Sequence, residues 1–326
     1  MRALAPYAHD TDPAPHLIEL PDPVPGPGEV LVRVTAAGLN RADLLQLAGQ
    51  YPAPPGASPV PGLECAGTVE AFGPSVSGFE PGQRLMALLT GGGQAELAVV
   101  PVGQLMRVPE GLDLISAGGV PEAGLTAWTN LVVEGGLSAG ETVLITGAAS
   151  GVGTFAVQLA RELGARVWVA GRSRGRLEPL RELGAAEVFE LSDDLPARLR
   201  KAGDGAGVDL VLDLVGGQWL PRSLAALSPR GRLVLVGLMA GRTAELDLGM
   251  VLSRRLRVIG SVLRPRGRTE KAELVRGFTE FALPRLADAR LRPVIDRVFP
   301  FNEVNEAYGF LERGGPLGKV VLSIPG

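Results

Sequence analysis

One stretch of the chain, residues 141–164, constrains the fold more than any other. It begins with Thr142–Thr146, a β-branched and apolar run without strict alternation, which is typical of a strand buried on both faces of a parallel sheet. A glycine-rich loop follows at residues 147–153, and apolar residues then recur every four positions until Gly164, which is placed to end a helix. Strand, tight turn and helix in this order predict the entry to a nucleotide-binding βαβ unit.

The physics of that loop favours an anionic ligand. Backbone N–H groups at the start of a helix lack intrahelical partners and carry the positive end of the helix dipole, so small residues there let a pyrophosphate lie directly on the backbone. The spelling G-x-x-x-G-V-G departs from the dinucleotide fingerprint G-x-G-x-x-G. A strand–helix turn without a ligand is therefore the alternative interpretation of the loop alone.

Composition limits the class of protein. The chain has 326 residues, a formal net charge of −3 and a single cysteine, Cys65. The length suits two domains. The small negative net charge does not favour binding to nucleic acid or to an anionic membrane. A single cysteine excludes an internal disulfide and a cysteine-clustered zinc site. The N-terminus lacks the apolar core of a signal peptide, and the longest uncharged run, residues 142–160, contains the glycine loop. We therefore expect a cytoplasmic protein without membrane segments or nucleic-acid partners.

Two different sequence patterns indicate that the chain has two domains. Residues 1–115 are rich in proline and glycine with short alternating runs, which predicts a mostly antiparallel β domain. A helix is predicted over residues 114–134, and apolar strands then alternate with helical patterns through residues 116–267, which predicts a doubly wound parallel sheet. Residues 268–326 are expected to return to the first domain. The predicted strands of the parallel sheet are residues 142–146, 166–170, 187–191, 209–213, 232–236 and 257–262.

The segment after the second of these strands predicts which nucleotide binds. NAD-binding units place an acidic residue there, whereas a basic residue accommodates the 2′-phosphate of NADP. Here the chain has Arg172, Ser173, Arg174 and Arg176, and no carboxylate until Glu178. Guanidinium groups and a hydroxyl would form charge-assisted hydrogen bonds to a dianionic phosphate, so NADPH is the expected cofactor. A solvated basic turn is the alternative.

Several phrases spread over the chain resemble a known family. They are A-A-G-L-N-R-A-D (residues 36–43), G-Q-Y-P-A-P-P-G-A-S (49–58), G-L-E-C-A-G-T-V (62–69), G-G-G-Q-A-E (91–96) and I-T-G-A-A-S-G-V-G (145–153). Together they resemble the medium-chain dehydrogenase/reductase superfamily, and within it the zinc-free quinone oxidoreductase (zeta-crystallin-like) family. The first two, with P-E-A-G-L-T-A (121–127) and L-R-P-R (263–266), resemble most closely the branch that a tumour suppressor induces in animals.

The resemblance implies a fold and a reaction. The fold is α/β, with a doubly wound Rossmann sheet and a GroES-like, mostly antiparallel β domain, and the reaction is NADPH-dependent reduction of a quinone by hydride or electron transfer in a zinc-free interdomain cleft. Zinc-dependent relatives have a cysteine where this chain has Asn40 and a histidine where it has Leu63, and neither replacement can supply thiolate or imidazole to zinc. The two histidines, His9 and His16, lie away from every motif.

The resemblance also maps site residues onto this chain. It places Asn40, Asp43 and Tyr51 at the substrate: Asn40 could donate to a carbonyl oxygen, and Tyr51 could stack on a flat ring or donate its hydroxyl. The alternatives are an asparagine helix cap and a tyrosine that anchors its loop. A departure from the family is Glu190-Leu191, where many relatives have Asn-Tyr at the adenosine end. The residues assigned to the cofactor are Thr126, Gly147, Ala148, Ser150, Gly151, Val152, Gly153, Arg172, Ser173, Arg176, Gly237, Leu263 and Lys319.

Two further functions and one assembly stay open at this point. The same fold could reduce an activated C=C bond of an enone or enoyl substrate, and an NADPH-binding structural or RNA-associated protein is the alternative of another class, which the net negative charge disfavours. The strand predicted at residues 257–262 would be an exposed sheet edge, where relatives commonly pair, so we expect a homodimer.

Overall fold

The computed structural model describes residues 1–6, 14–314 and 316–325. The chain forms two compact units: residues 1–125 with 263–326, which we call the split unit, and residues 126–262, which we call the central unit. The sequence analysis placed these boundaries after residues 115 and 267. His9 lies outside the described residues.

The first part of the split unit is mostly β structure. Its elements are β1 (Arg2–Leu4), β2 (Leu17–Glu19), β3 (Glu29–Leu39), α1 (Arg41–Leu47), β4 (Glu64–Phe72), β5 (Arg84–Leu88), β6 (Leu97–Pro101), β7 (Leu105–Arg107), α2 (Leu114–Ala117) and the start of α3 (Pro121–Trp128), whose last three residues belong to the central unit. The prediction of one continuous helix over residues 114–134 was wrong. Two glycines end α2, a new helix begins at Pro121, which needs no N–H partner in a first turn, and a π-helical turn, Thr129–Glu134, follows α3.

The central unit is the predicted doubly wound sheet. Its elements are β8 (Thr142–Thr146), α4 (Gly151–Glu162), β9 (Arg166–Gly171), α5 (Arg174–Leu177), α6 (Leu180–Leu183), β10 (Ala185–Glu190), α7 (Leu195–Ala202), β11 (Val208–Asp213), α8 (Leu220–Ala226), β12 (Leu227–Leu235), α9 (Leu248–Arg254) and β13 (Arg257–Gly260). The strand order is β10-β9-β8-β11-β12-β13, and every pair is parallel. The order reverses between β8 and β11, and ligands of such sheets bind at the carboxyl ends of the strands at that point.

The last part of the chain completes the split unit. Its elements are α10 (Arg268–Ala287), β14 (Ile295–Pro300), α11 (Val304–Glu312) and β15 (Lys319–Ser323). Strand β15 pairs antiparallel with β3, which confirms that the tail returns to the first domain. The resulting sheet has the order β14-β15-β3-β4-β5-β7, with β6 paired to β3, and is antiparallel except for β14 and β15.

No helix among the described residues combines the length and the apolar character needed to cross a bilayer.

A buried arginine fastens the loop that precedes the first strand of the central unit. The Arg232 guanidinium donates to both carboxylate oxygens of Glu141, each at 2.7 Å, and to the carbonyl oxygens of Gly135 at 2.5 Å and Gly136 at 2.9 Å. The hydrogen bonds from Arg232 lower the pKa of Glu141, so the carboxylate is charged at neutral pH. The bidentate geometry and the extra carbonyl acceptors are what a buried ion pair needs in order to stabilise.

We expect Arg232→Met to lower the free energy of unfolding by about 3 kcal/mol, because it removes the charged partner of Glu141 and the donor to three carbonyl groups, those of Gly135, Gly136 and Asp209. This loss is at the low end of the range for breaking a buried ion pair, since the Glu141 side chain is partly exposed to solvent. Urea denaturation followed by circular dichroism measures the change. Arg242→Met, which alters an exposed arginine of the same unit, is the control, and an equal loss in both variants would contradict the assignment.

Candidate functional site

The glycine loop after β8 is shaped by backbone requirements. Gly147 has a φ of 65°, in the left-handed region that glycine adopts without a Cβ clash. The Ser150 hydroxyl accepts a hydrogen bond from the Gly153 N–H at 3.1 Å and thereby caps α4. A Cβ at Gly153 would lie 2.5 Å from the Ala148 Cα, so only glycine lets the helix pack this closely on the loop.

The first turn of α4 has backbone N–H groups that could donate to a ligand. The backbone N–H groups of Gly151 and Val152 make no hydrogen bond within the described residues. They stand at the positive end of a twelve-residue helix, next to small residues that leave the backbone accessible. These residues fit the pyrophosphate of a dinucleotide.

A buried carboxylate joins the two strands at the switch point. Asp213 Oδ1, at the end of β11, accepts from the Thr146 hydroxyl at 2.8 Å, from Val215 N at 2.9 Å and from Gly216 N at 3.0 Å. Its second oxygen, Oδ2, is buried and has no hydrogen-bond partner within the described chain. A Cβ at Gly237 would collide with backbone near this edge, at the Leu214 carbonyl. The sequence analysis missed Asp213, although an acidic residue at the end of a buried apolar strand was a visible signal.

The basic segment, residues 172–176, follows β9 and is exposed throughout. Ser173 precedes α5 and makes no side-chain cap bond to it. Arg174 forms an ion pair with Glu178, at 3.5 Å. The segment therefore presents cationic groups and a hydroxyl to solvent at the carboxyl end of the second strand.

The other residues assigned to the cofactor lie in both units. Thr126 is in the central unit, where it is buried and its carbonyl accepts from Asn130 Nδ2 at 2.7 Å. Leu263 and Lys319 belong to the split unit, and both are buried. Their cofactor roles stay predictions.

Lys319 is the centre of a buried polar cluster in the split unit. Its ammonium donates to Glu64 Oε1 at 2.5 Å, to Asn40 Oδ1 at 2.8 Å and to the Leu39 carbonyl at 2.8 Å. The side chain of Lys319 is 4 % exposed and that of Glu64 is fully buried. Three acceptors account for all three N–H bonds of the ammonium group.

Asn40 bridges this ion pair. Its Nδ2 donates to Glu64 Oε1 at 3.0 Å, and the same nitrogen lies 3.4 Å from the Gly38 carbonyl, which is long for a hydrogen bond. The second N–H of the amide is thus only weakly engaged. The predicted role of Asn40 as a donor to a carbonyl oxygen stays a prediction that this geometry leaves possible.

Asp43 is fully buried and fully hydrogen-bonded. Its carboxylate accepts from Asn40 N at 2.8 Å, from Gly62 N at 3.2 Å and from Gln94 Nε2 at 3.2 Å, and Gln94 Oε1 in turn accepts from the Tyr308 hydroxyl at 2.7 Å. Burial raises the pKa of Asp43 to about 6, against the lowering effect of the Asn40 N–H. The contacts show Asp43 holding the start of α1 against the neighbouring loops.

Tyr51 lies against Arg264. The guanidinium carbon is 5.1 Å from the ring centroid, and Arg264 also donates to the Tyr51 carbonyl at 3.1 Å, to Gln46 Oε1 at 2.6 Å and to the Thr90 carbonyl at 2.9 Å. The Tyr51 hydroxyl makes no hydrogen bond to any other described group, and burial raises its pKa. The ring is fixed and the hydroxyl is available. Arg264 belongs to the L-R-P-R phrase, which was the signal for it.

Two further charged groups were missed by the sequence analysis. The Glu122 backbone N–H donates to Glu64 Oε2 at 2.8 Å, while Glu122 Oε2 is buried without a hydrogen-bond partner in the described residues. Burial raises the pKa of Glu122 to about 8, and the Glu64 carboxylate raises it further in the same direction. Lys271 donates to Thr90 Oγ1 at 2.6 Å and to the Arg264 carbonyl at 2.7 Å, and burial lowers its pKa to about 8.

The donor set at the positions of the zinc ligands does not fit zinc. Asn40 offers an amide already bound to an ammonium group, and Leu63 is a buried core residue. Glu64 is paired with Lys319, whose charge would repel a divalent cation. The described residues contain no group of three or more His, Cys, Asp or Glu side chains able to hold a metal ion.

Two family models match this chain. Residues 26–110 match the alcohol dehydrogenase GroES-like domain, and residues 151–278 match the zinc-binding dehydrogenase family. They fall on the antiparallel sheet of the split unit and on the parallel sheet of the central unit, respectively, with the second match continuing into α10.

Individual proteins are similar over almost the whole chain. A quinone oxidoreductase from Thermus thermophilus, solved also with NADPH, is 36 % identical with a TM-score of 0.83, and the match covers 99 % of this chain and all of that one. An NAD-dependent alcohol dehydrogenase is 29 % identical with a TM-score of 0.87 over both full chains. A polyketide synthase subunit of Mycobacterium tuberculosis is 34 % identical over 298 residues, 91 % of this chain, and the match spans 14 % of the length of that subunit.

We expect Glu122→Gln to alter the pH dependence of stability. The pKa of Glu122 is raised from its ordinary 4.5 to about 8, so its protonated form stabilises the folded chain fully below pH 4.5, and this contribution is lost as the pH rises to about 8. The free energy of unfolding of the variant should therefore rise relative to that of the unmodified chain across this window. Urea titrations at a series of pH values measure the difference; a constant difference would show that Glu122 is ionised normally.

Proposed function

This chain belongs to the medium-chain dehydrogenase/reductase superfamily of nicotinamide-dependent oxidoreductases, and on that premise we propose that it reduces quinones with NADPH. The observation that carries the proposal is the likeness, over the whole length, to the quinone oxidoreductase from Thermus thermophilus. A site that lacks zinc ligands and offers an amide, a tyrosine hydroxyl and a carboxyl suits an acceptor that is easily reduced.

NADPH fits the groups of the central unit. The Gly151 and Val152 N–H groups would hold the pyrophosphate, and the basic segment would hold the 2′-phosphate through Arg172, Ser173 and Arg176. When bound, the cofactor supplies a hydride. The structure solved with NADPH supports this choice, and the NAD-dependent relative makes NADH the alternative to test.

The split unit would bind the acceptor. Tyr51, held by Arg264, offers an aromatic face for a flat ring and a free hydroxyl to a carbonyl oxygen. The weakly engaged N–H of Asn40 offers a second donor. These groups would orient the acceptor and stabilise the negative charge that develops on its oxygen during reduction.

A panel of acceptors tests the proposal. The purified chain is assayed with NADPH and ortho-quinones, para-quinones and enones, and semiquinone is monitored by electron spin resonance to separate one-electron from two-electron transfer. Turnover of quinones at a kcat/KM well above that for enones is expected. No quinone turnover, together with a shifted band of single-stranded RNA at low salt, would favour the structural or RNA-associated alternative instead.

Reduction of an activated C=C bond is a second candidate. It is favoured by the similarity to a segment of a polyketide synthase subunit, although that segment is only 14 % of the subunit and the subunit's activity is its own. The same hydroxyl and amide donors would serve the carbonyl of an enone. A preference for enones in the panel would establish it.

The basic segment should determine cofactor preference. We expect the double substitution Arg172→Ala and Arg176→Ala to raise KM for NADPH at least about 10-fold, since each charge-assisted bond to the phosphate contributes about 1.5–3 kcal/mol. KM for NADH should change little, because NADH has no 2′-phosphate. Initial rates at varied cofactor concentration measure both constants, and Arg242→Ala is the control. An unmodified chain that prefers NADH would contradict the assignment.

We also propose a homodimer through the edge of the parallel sheet. Among the described residues, strand β13 pairs with β12 alone, and its Val258 is 44 % exposed. Further exposed apolar side chains of the central unit, also close in sequence to that strand, are Leu248, Leu252 and Val262. Unpaired strand edges and apolar patches favour association with a second copy.

The single cysteine supports a reducing compartment. Cys65 is buried, and burial raises the pKa of its thiol to about 12, so it stays a thiol. We propose a cytoplasmic location on this ground, in line with the sequence analysis.

We expect Val258→Asp to shift the chain from dimer to monomer, because a carboxylate on the edge strand would face its symmetry mate and lose hydration. Multi-angle light scattering gives the mass of each species. Val24→Asp, on an exposed valine of the split unit, should leave the dimer intact. A monomeric unmodified chain would contradict the proposal.

A further inference from the structure

The buried cluster around Lys319 contains three carboxyl groups, one of them in the ion pair with Lys319, and they do not receive the same hydrogen bonds. Glu64 accepts from Lys319, from Asn40 and from the Glu122 N–H. Asp43 accepts from two backbone N–H groups and from one side-chain amide. The Glu122 carboxyl receives no hydrogen bond from the described residues, and its Oε2 is buried. Glu122 therefore differs from Glu64 and Asp43 in having no hydrogen-bond donor to stabilise its charged form.

The lack of hydrogen-bond donors gives Glu122 a proton. Lys319 is paired with Glu64, and the Lys271 ammonium donates to the Thr90 hydroxyl and to the Arg264 carbonyl. A carboxylate without a hydrogen-bonded partner is costly in a buried region. The proton therefore resides on the carboxyl without donors, as the raised pKa of Glu122 also indicates.

We propose that Glu122 is the proton donor to the acceptor in the reduction of quinones or enones, a residue role that rests on the proposed function. The Arg264 guanidinium lies over the Tyr51 ring, and the Arg264 carbonyl accepts from Lys271, which interacts electrostatically with Glu122. Burial is the largest cause of the raised pKa of the Tyr51 hydroxyl, and the Glu122 charge raises it too. The residue is half-buried, with one oxygen shielded and the side chain still in reach of solvent.

The step balances with NADPH as the reductant. Hydride transfer brings one hydrogen nucleus and two electrons to the acceptor, which becomes a hydroquinone monoanion or an enolate. The O–H bond of Glu122 breaks, its electron pair stays on the carboxylate, and the proton bonds to the oxyanion of the hydroquinone or to the α-carbon of the enolate. Water then returns a proton to Glu122, so one proton is consumed from solvent for each NADPH oxidised.

The surrounding charges set the pH at which this donor works. Glu64 and Asp43 raise the pKa of Glu122, and Lys319 and Lys271 lower it, with burial as the largest influence. Arg264 and Glu122 act in opposite directions on Tyr51. After donation the Lys271 ammonium, whose hydrogen bonds go to the Thr90 hydroxyl and the Arg264 carbonyl, stabilises the Glu122 carboxylate electrostatically until the proton returns.

Infrared spectroscopy tests the protonation state without cofactor or acceptor. A pH titration of the chain alone should show a protonated-carboxyl C=O band that disappears with a midpoint near the pKa of about 8. The band should be missing in Glu122→Gln and present in the control Glu110→Gln, which changes an exposed carboxyl of the same unit. No such band in the unmodified chain would overturn the proposal.

Kinetics test the donation. Glu122→Gln should lower kcat at least about 100-fold and abolish the alkaline limb of the kcat profile, since general acids contribute about 10²–10⁴-fold. Glu122→Asp should retain that limb at a reduced kcat, which keeps the test decisive if the glutamine variant folds poorly. Glu110→Gln should behave as the unmodified chain. Unchanged kcat and pH profile in Glu122→Gln would overturn the role.

Lys271→Met distinguishes the two candidate donors. If Glu122 donates, removal of the cation should move the alkaline limb of the kcat–pH profile to higher pH, because Lys271 lowers the pKa of Glu122. If Lys271 donates, the variant should lose the alkaline limb, and the proposal is overturned. A chain that turns over no acceptor would instead defeat the proposed function, while the infrared titration would still report whether Glu122 carries a proton.

Discussion

The split unit depends on one buried ion pair. Lys319 at the start of β15 meets Glu64 at the start of β4, and Asn40, just before α1, bridges them. A buried carboxylate or ammonium is costly alone, so each of these groups requires the others in place. The pair thereby ties the C-terminal strand to the first part of the chain, and it also sets the charge that every neighbouring carboxyl experiences.

This arrangement does not suit a metal ion. The Lys319 ammonium is bound to Asn40 and Glu64, and its three N–H bonds are all used within the protein. Under the proposed function, charge on an acceptor is stabilised by neutral donors such as the Tyr51 hydroxyl. Glu122 is the carboxyl of this cluster that receives no hydrogen bond from the described residues, and burial therefore favours its protonated form.

Much of the fold was predictable from local pattern. The β8 strand, the glycine loop and α4 were visible because apolar periodicity and glycine placement report directly on a buried parallel strand and a helix start. The predicted strand at residues 142–146 has the observed bounds. The continuous helix over residues 114–134 was wrong, because the composition of that segment suits a helix while two glycines and Pro121 interrupt it. Glu122 and Lys271 were missed as site residues, since single charged residues carry no periodic signal.

The sequence by itself determined the family, the order of strands and helices, and the cradle for a nucleotide, because each of these follows from short-range spacing of apolar residues and glycines. Only the tertiary structure decided which charged side chains share one buried region. Glu64, Glu122, Lys271 and Lys319 come from four elements that are distant in the chain. Their protonation depends on how many donors and opposite charges each one meets after folding, and that number is a property of the packed structure and not of any local pattern.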